Sequence, residues 1–148
     1  MDDLEPRLRV QMHRAFFDHL KSKLDAEDKS DAIAWLVRLH DELGKRFKAV
    51  LPSKRTQIDE HFDSTLFAQQ LTARAYGYRE LGPLVECTWG LLRMACAPDM
   101  DVQLQEAYTE VKAALVPGAA FSVTVPLYLR LAHGQLDEII RRIEELRA

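Results

Sequence analysis

Residues 79 to 96 read RELGPLVECTWGLLRMAC, and this stretch decides the fold class. When each residue is turned by the 100° of an α-helix, the apolar side chains cover nearly the whole circumference. The remaining polar stripe is narrow and consists of Arg79, Glu86, Gly90 and Arg93. A helix that is apolar on almost every side is buried among other helices. The pattern therefore predicts a nearly fully buried central helix over 79–96.

Helical periodicity continues on both sides of this stretch. Further helices are predicted over about 6–24, 30–50, 53–62, 63–77, 99–116, 119–133 and 135–146. Residues that suit helix starts are Ser53, Asp63 or Ser64, and Asp99 or Asp101. Pro126 predicts a kink or a restart, and Gly134 predicts a break before the last helix. The chain is therefore predicted to be a single all-α domain, a bundle of about seven to eight helices.

The composition is that of a folded globular domain. Of the 148 residues, 47% are apolar and 29% are charged. The formal net charge of -3 gives no overall attraction for phosphate backbones, so we expect no nucleic-acid partner. No uninterrupted apolar stretch approaches the roughly 20 residues that span a bilayer, and the amino terminus, MDDLEPRLRV, has no signal-peptide core. We therefore expect a cytoplasmic protein without a membrane span.

The segment LLRMACAPDMD, residues 91–101, raises the question of a reactive thiol. Cys96 is in helical phase with Trp89, and Pro98 prevents the helix from continuing, so ACAPD is predicted to be a corner between two helices. Free cysteines are usually buried, and a buried structural thiol is therefore favoured over a reactive one. Cys87 lies nine residues earlier and on the opposite side of the same helix, so the two cysteines cannot form a disulfide.

A catalytic or metal site has little support in the sequence. The five histidines lack the i,i+4 spacing of a helical metal site; they are His13, His19, His40, His61 and His133. Both His13 and His40 lie at or beside apolar helix faces, where a hydrogen-bonded boundary residue is favoured. For Glu86, a structural ion pair with Arg79 or Arg93, or a place on a solvent-facing stripe, is favoured. The alternative is a small helical enzyme that uses Glu86 with His13 or His40. We predict no enzyme, no cofactor and no metal site.

A basic run without an intervening acid marks one candidate partner site, called here the basic corner. It consists of Lys45, Arg46, Lys48, Lys54 and Arg55. Because Ser53 is placed to cap the next helix, an anion or an acidic partner could meet the free N–H groups of that helix together with Lys54 and Arg55. The alternative is a solvated loop. The second candidate surface is the apolar face of 136–146, which is too short to be stable alone. We favour docking of that helix on its own domain and recruitment of a partner by the basic corner.

Five segments occur in an order that resembles a known family. They are MHRAFFDHLKSKL (12–24), DAIAWLVRLHDEL (31–43), VLPSKRTQIDEHFD (50–63), LFAQQL (66–71) and LLRMACAPDMD (91–101). In the T-complex protein 11 family an aromatic-rich AFWDxL-type helix, an LxEI-type helix, an LLP corner, a QEA-type helix and a CAP corner follow one another in this order. The resemblance covers nearly the whole chain, and its strength lies in the order of the motifs.

The resemblance implies a helical protein without an established catalytic motif, linked to cyclic-AMP and protein kinase A signalling and to sperm and ciliary function. Two features depart from the family pattern. Its QEAEHGALD-type stretch is replaced here by AQQLTARAYGYRE, and this chain stops where the family usually continues into a second helical portion. No functional residue is carried over. We therefore expect a non-catalytic interaction or regulatory module with a protein partner.

Overall fold

The structure is a computed structural model that describes residues 14–19, 22, 30–72 and 78–147. It contains six α-helices within these ranges: α1 (Ser30–Val50), α2 (Arg55–His61), α3 (Ser64–Thr72), α4 (Tyr78–Ala95), α5 (Asp101–Ala114) and α6 (Phe121–Arg147). Short 3-10 turns, Pro52–Lys54 and Pro98–Met100, precede α2 and α5. The described ranges contain no strand, so the all-α class is confirmed. Residues 14–19 and 22 are also helical, and the rest of the predicted first helix, including His13, lies outside the described residues.

Helix α4 supplies the centre of the core, as the apolar pattern predicted. Five of its apolar side chains are exposed by 1% or less: Leu81, Val85, Trp89, Leu91 and Leu92. The predicted polar stripe is exposed at Arg79, Glu86 and Arg93. Pro83 and Met94 are also exposed, although Met94 was expected to extend the apolar side. Helix α4 is therefore buried on a broad apolar side and open along one stripe.

Helix α6, and not α4, is the less exposed of the two. It packs against α1, α4 and α5, and between residues 121 and 140 only Val123 is exposed. We had expected 79–96 to be the least exposed helix because its polar stripe is the narrowest. Contact with three helices buries polar side chains of α6 as well, so the width of the polar stripe does not decide which helix is the less exposed.

The predicted restart at Pro126 and the predicted break at Gly134 are wrong, since one helix runs through both positions. Pro126 is the sixth residue of the helix, so it removes only the backbone bond that would reach the carbonyl of Ser122. A glycine in a helix interior costs about 1 kcal/mol relative to alanine. Full burial of one leucine contributes about 1.5–3 kcal/mol, and both Leu129 and Leu136 are fully buried. Packing therefore outweighs the local helix-breaking signal.

Buried polar side chains of α6 fix its position against its neighbours. Their partners lie on three helices, in the pairs Tyr128–Thr88 of α4 (2.8 Å), Gln135–Gln103 of α5 (3.2 Å) and His133–Leu39 of α1 (2.8 Å). The Thr88 hydroxyl also donates to the carbonyl of Leu84 at 2.8 Å. A carbonyl can only accept, so the Tyr128 hydroxyl donates to Thr88.

The helix caps agree with the prediction at one of three places. Asp63 caps α3, because its Oδ1 accepts a hydrogen bond from the N–H of Leu66 at 3.0 Å. Ser53 does not cap α2, since it lies inside the 3-10 turn and Lys54 occupies the cap position. Neither Asp99 nor Asp101 caps α5, whose cap position is occupied by a residue of the second 3-10 turn, Met100. Extra 3-10 residues therefore displace two of the expected caps.

The carboxy-terminal part of α6 docks on its own domain, which was the favoured alternative. Leu136 and Ile139 are buried, and Ile140 and Ile143 pack against the core. Leu146 leaves the core and is 88% exposed. The apolar face of 136–146 is therefore covered by this chain over most of its length.

The substitution Trp89→Ala is expected to lower the free energy of unfolding by about 3–5 kcal/mol, because it leaves a cavity beside fully packed neighbours. The indole N–H also donates to the carbonyl of Leu104 at 3.1 Å, and this bond would be lost. Urea unfolding followed by far-UV circular dichroism measures the effect. Trp35→Ala is the matched control, since Trp35 is 42% exposed and should cost less than about 2 kcal/mol. A loss below about 1 kcal/mol for Trp89→Ala would contradict the core described here.

Candidate functional site

The cations of the basic corner fall into two groups in the structure, those that form ion pairs and those that form none with the described residues. Three of its five cations pair within the chain, as Lys45–Asp41 (3.0 Å), Lys48–Asp59 (2.8 Å) and Arg46–Asp137. Lys54 and Arg55 form no ion pair with any residue that the structure describes. Only these two cations of the corner therefore remain available for a partner.

The third paired cation, Arg46, belongs to a cluster that joins α1 to α6. His133 lies 2.8 Å from the carbonyl oxygen of Leu39 through Nε2, so Nε2 carries the proton and donates. The other ring nitrogen, Nδ1, lies 2.9 Å from Nη1 of Arg46 and accepts. Burial is the main cause that lowers the pKa of His133, in agreement with a neutral ring. Both nitrogens are occupied, which leaves His133 without a free nitrogen for proton transfer.

Glu86 is held on the surface by α5. Its Oε1 accepts a hydrogen bond from the Tyr108 hydroxyl at 2.5 Å and lies 3.3 Å from Nζ of Lys112. The hydrogen bond from Tyr108 is the main cause that lowers the pKa of Glu86. These contacts with α5 take the place of the predicted ion pair with Arg79 or Arg93, whereas the solvent-facing stripe is confirmed, since all three side chains are exposed.

The enzyme alternative does not gain support from this arrangement. A general base would need a raised pKa, whereas that of Glu86 is lowered. His40 lines a different cavity from Glu86, so the structure does not bring the pair together. His13, the other histidine considered, lies outside the described residues.

Both cysteines are free and half-buried, where full burial was expected for Cys96. Burial raises the pKa of Cys87 and is also the main cause that raises the pKa of Cys96. The carboxylate of Asp101, 3.9 Å from the Cys96 sulfur, acts in the same direction. A thiol with a raised pKa has less of the nucleophilic thiolate, which argues against a reactive Cys96.

One cavity was not anticipated from the sequence, and we call it the His40 notch. It lies where α1, α2, α3 and α4 meet, and its lining includes His40, Glu60, Asp63, Phe67, Glu80 and Leu84. The His40 ring is 1% exposed and stacks on the ring of Phe67, with 4.1 Å between the ring centroids. Its Nδ1 is buried and has no hydrogen-bond partner among the residues that the structure describes. His40 is therefore not the hydrogen-bonded boundary residue that was expected.

Burial lowers the pKa of His40 from 6.5 to about 4, against the opposing charges of Asp41 and Asp63. The ring is therefore neutral at physiological pH. The sequence carries one signal for its burial, because His40 is in helical phase with Leu36 and Leu43 on the apolar face of α1.

A comparison with family models identifies the chain. The model described as T-complex protein 11 matches residues 1–147. The chain belongs to the T-complex protein 11 family. This confirms the resemblance seen in the order of the motifs, and the family is not a known enzyme family. No curated protein and no solved structure is significantly similar to the chain.

Two further properties of this T-complex protein 11 family member bear on its site. None of its described helices combines the length and the apolar character needed to cross a membrane. Within the same described residues, no group of three histidine, cysteine or acidic side chains is arranged to hold a metal ion.

The lowered pKa of His40 predicts a pH dependence of stability. The unfolded chain takes up a proton on this residue near pH 6.5, whereas the folded chain does so only near pH 4. Folding is therefore favoured most above pH 6.5, and His40 removes stability as the pH falls from about 6.5 to about 4, by on the order of 3 kcal/mol.

The substitution His40→Phe keeps an aromatic ring and removes this titration. Urea unfolding from pH 7 to pH 4.5 should show a shallower loss of stability for the variant than for the parent protein. Because carboxylates and His133 titrate in both proteins, the difference between the two curves isolates His40. Parallel curves would show that His40 is not buried in the folded state.

Proposed function

We propose that this protein is a non-catalytic, cytoplasmic interaction module that binds an acidic segment of a protein partner through Lys54 and Arg55. One observation carries the proposal. These two cations are unpaired among the described residues, whereas the other three of the basic corner are neutralised by acids of the same chain. A partner carboxylate would therefore not have to displace an internal one.

The backbone that bears the two cations is held in place by packing. Ile58 of α2 is fully buried, and the N–H of Leu51 donates to the carbonyl of Phe47 at 2.7 Å where α1 ends. The 3-10 turn Pro52–Lys54 then leads directly into α2. A fixed backbone lowers the conformational entropy that is lost when a partner binds.

The amino terminus of α2 does not contribute to this site, contrary to the prediction from the sequence. Helix α2 has only seven residues, and its cap position is held by Lys54 without a capping side chain from the described part of the chain. Exposed ion pairs each contribute about 0.2–1 kcal/mol, so Lys54 and Arg55 alone favour a weak and salt-sensitive contact. Neighbouring contacts are needed for tight binding.

Family membership supports the non-enzymatic part of this proposal. By resemblance to the T-complex protein 11 family, we propose cyclic-AMP and protein kinase A signalling or ciliary function as the setting in which to seek the partner. The partner is expected to present a short acidic segment, because its carboxylates would replace the water around Lys54 and Arg55.

The double substitution Lys54→Ala with Arg55→Ala is expected to remove partner binding. Immobilised parent protein should retain a partner from cytosolic extract at about 50 mM salt and lose most of it at about 300 mM, because screening shortens the reach of exposed charges. The double variant should retain less than a tenth as much at low salt. Quantitative mass spectrometry of the retained proteins measures both effects.

The matched control is Arg141→Ala with Arg147→Ala, which removes two positive charges from the carboxy-terminal part of α6. It should retain the partner as the parent protein does. Equal retention by the Lys54 and Arg55 variant would refute a role for the basic corner, and equal losses in both double variants would show a nonspecific charge effect.

A further inference from the structure

We infer that the segment joining α5 to α6 binds the surface of a membrane that contains anionic lipids. This segment reads AALVPGAAF, residues 113–121, and is called here the apolar turn. The inference goes beyond the proposed function, since it involves neither Lys54 nor Arg55. Four features support it: exposed apolar side chains, a fixed turn, backbone N–H groups that are already bonded, and a positive local charge.

The side chains of the apolar turn face the solvent. None of its nine residues has a polar side chain, and none of them is buried. Val116 is 51% exposed, and Val123, in the first turn of α6, is 41% exposed. Connections between helices usually carry polar side chains at such positions. A contiguous group of exposed apolar side chains marks a surface that binds something other than water.

The apolar turn is held in one conformation. The N–H of Ala119 donates to the carbonyl of Val116 at 3.0 Å, which closes a four-residue turn around Pro117 and Gly118. Gly118 has a φ of 85°, as the third residue of a type II turn requires, and proline suits the second position. The flanking residues that pack against the core are Leu115 and Phe121. The exposed side chains are therefore presented with little conformational entropy left to lose on binding.

Backbone N–H groups at both ends of the turn are bonded within the chain. The N–H of Val116 donates to the carbonyl of Ala114 at 3.1 Å. The N–H of Val123 donates to the carbonyl of Ala120 at 3.0 Å, and Pro117 has no N–H. A backbone donor that leaves water without another partner is destabilising. A turn whose donors are bonded internally can therefore enter an apolar environment at lower cost.

The charge beside the turn is opposite in sign to that of the whole chain. The formal net charge is -3, but residues 111–136 contain no acid. A groove of about 340 Å³ opens beside Leu115, and its described lining carries two cations, Arg79 and Lys112, against one acid, Glu86. Lysine and arginine close to a membrane surface are attracted by anionic lipids. The groove therefore suits the phosphate of a lipid headgroup.

The kind of side chain favours a lipid surface over a pocket on a protein. Protein interfaces are centred on tryptophan, tyrosine or arginine side chains that fill a matching pocket. The exposed side chains of the apolar turn are those of valine, proline and alanine, which offer apolar area without a distinctive shape. Insertion at the boundary of a bilayer depends on apolar area and on attraction to anionic lipids, and this turn supplies both.

The test is co-sedimentation of the full chain with vesicles of about 30% phosphatidylserine and about 70% phosphatidylcholine. A single myristoyl chain binds a bilayer with a constant of about 10⁴ M⁻¹, so binding of this order or weaker calls for millimolar lipid. The protein should sediment with these vesicles. With vesicles of phosphatidylcholine alone, the bound fraction should fall about threefold, because the attraction to anionic headgroups is lost.

The apolar contribution is tested at unchanged charge. Val116→Ser with Val123→Ser should lower the bound fraction about fivefold, because it removes the apolar area that enters the bilayer. The matched control is Val102→Ser with Leu146→Ser, which changes two exposed apolar side chains at the opposite ends of α5 and α6. This control should bind as the parent protein does. Far-UV circular dichroism checks that all variants remain folded.

The charge contribution is tested separately. Lys112→Gln should lower binding to the anionic vesicles about threefold and leave binding to the neutral vesicles unchanged. Arg147→Gln removes one positive charge at the far end of α6 and should have no effect. Lys54→Ala with Arg55→Ala should also bind normally, so failure of the basic corner and failure of the apolar turn give different results.

Insertion itself is measured with vesicles whose acyl chains carry bromine, which quenches indole fluorescence on contact. Emission of the Val116→Trp variant should be quenched by these vesicles more strongly than that of the Val102→Trp control. The native indoles of Trp35 and Trp89 emit in both variants, so the difference reports the substituted position.

Four results would overturn the inference. The first is an absence of sedimentation at millimolar lipid, and a protein retained through Val116 and Val123 would then make the turn a protein-docking surface. The second is an equal loss of binding in the Val102 and Leu146 control, which would show nonspecific adsorption. The third is loss of vesicle binding in the Lys54 and Arg55 variant, which would place the lipids at the basic corner. The fourth is equal quenching of the two tryptophan variants.

Discussion

Helix α6 is surrounded by α1, α4 and α5, and its buried polar side chains must therefore find their partners on those helices. Each of the three neighbours supplies one: Thr88 of α4 accepts from Tyr128, the Leu39 carbonyl of α1 accepts from His133, and Gln103 of α5 donates to Gln135. A shift of α6 by one residue would leave all of these groups buried and unpaired. The polar contacts therefore specify one register, and the apolar burial around them supplies the stability. The basic corner and the His40 notch both include residues of α1, and α1 contacts α6 through the hydrogen bonds of His133 with Leu39 and Arg46.

The fold class could be predicted because the strongest sequence signals act over short distances. The apolar circumference of 79–96 marks a core helix, and Asp63 marks the start of α3, since both depend on neighbouring residues alone. Pro126 and Gly134 led to wrong predictions because their signals are also local. Each lowers local helix propensity, but the burial of α6 against three neighbours outweighs the local cost, and a sequence shows those neighbours only after the fold is known.

The same contrast between signals from neighbouring residues and contacts between distant residues applies to the candidate sites. The basic corner could be proposed from the sequence because its cations are close along the chain, but the loss of Arg46 to Asp137 could not, since the two residues lie 91 positions apart. The His40 notch combines side chains of α1, α2 and α4 with the residue that caps α3. None of its acidic residues, considered alone in the sequence, indicates that a cavity forms there.

The central structural claim is that α6 is one continuous helix held as a unit by its three neighbours. Native-state hydrogen exchange of the backbone amides from Leu129 to Ile139 tests it most directly. These amides, including that of Gly134, should exchange only through global unfolding, with the free energy that urea unfolding gives. Exchange of the amides after Gly134 through a local opening several kcal/mol below that value would show two separate helices and would contradict the account.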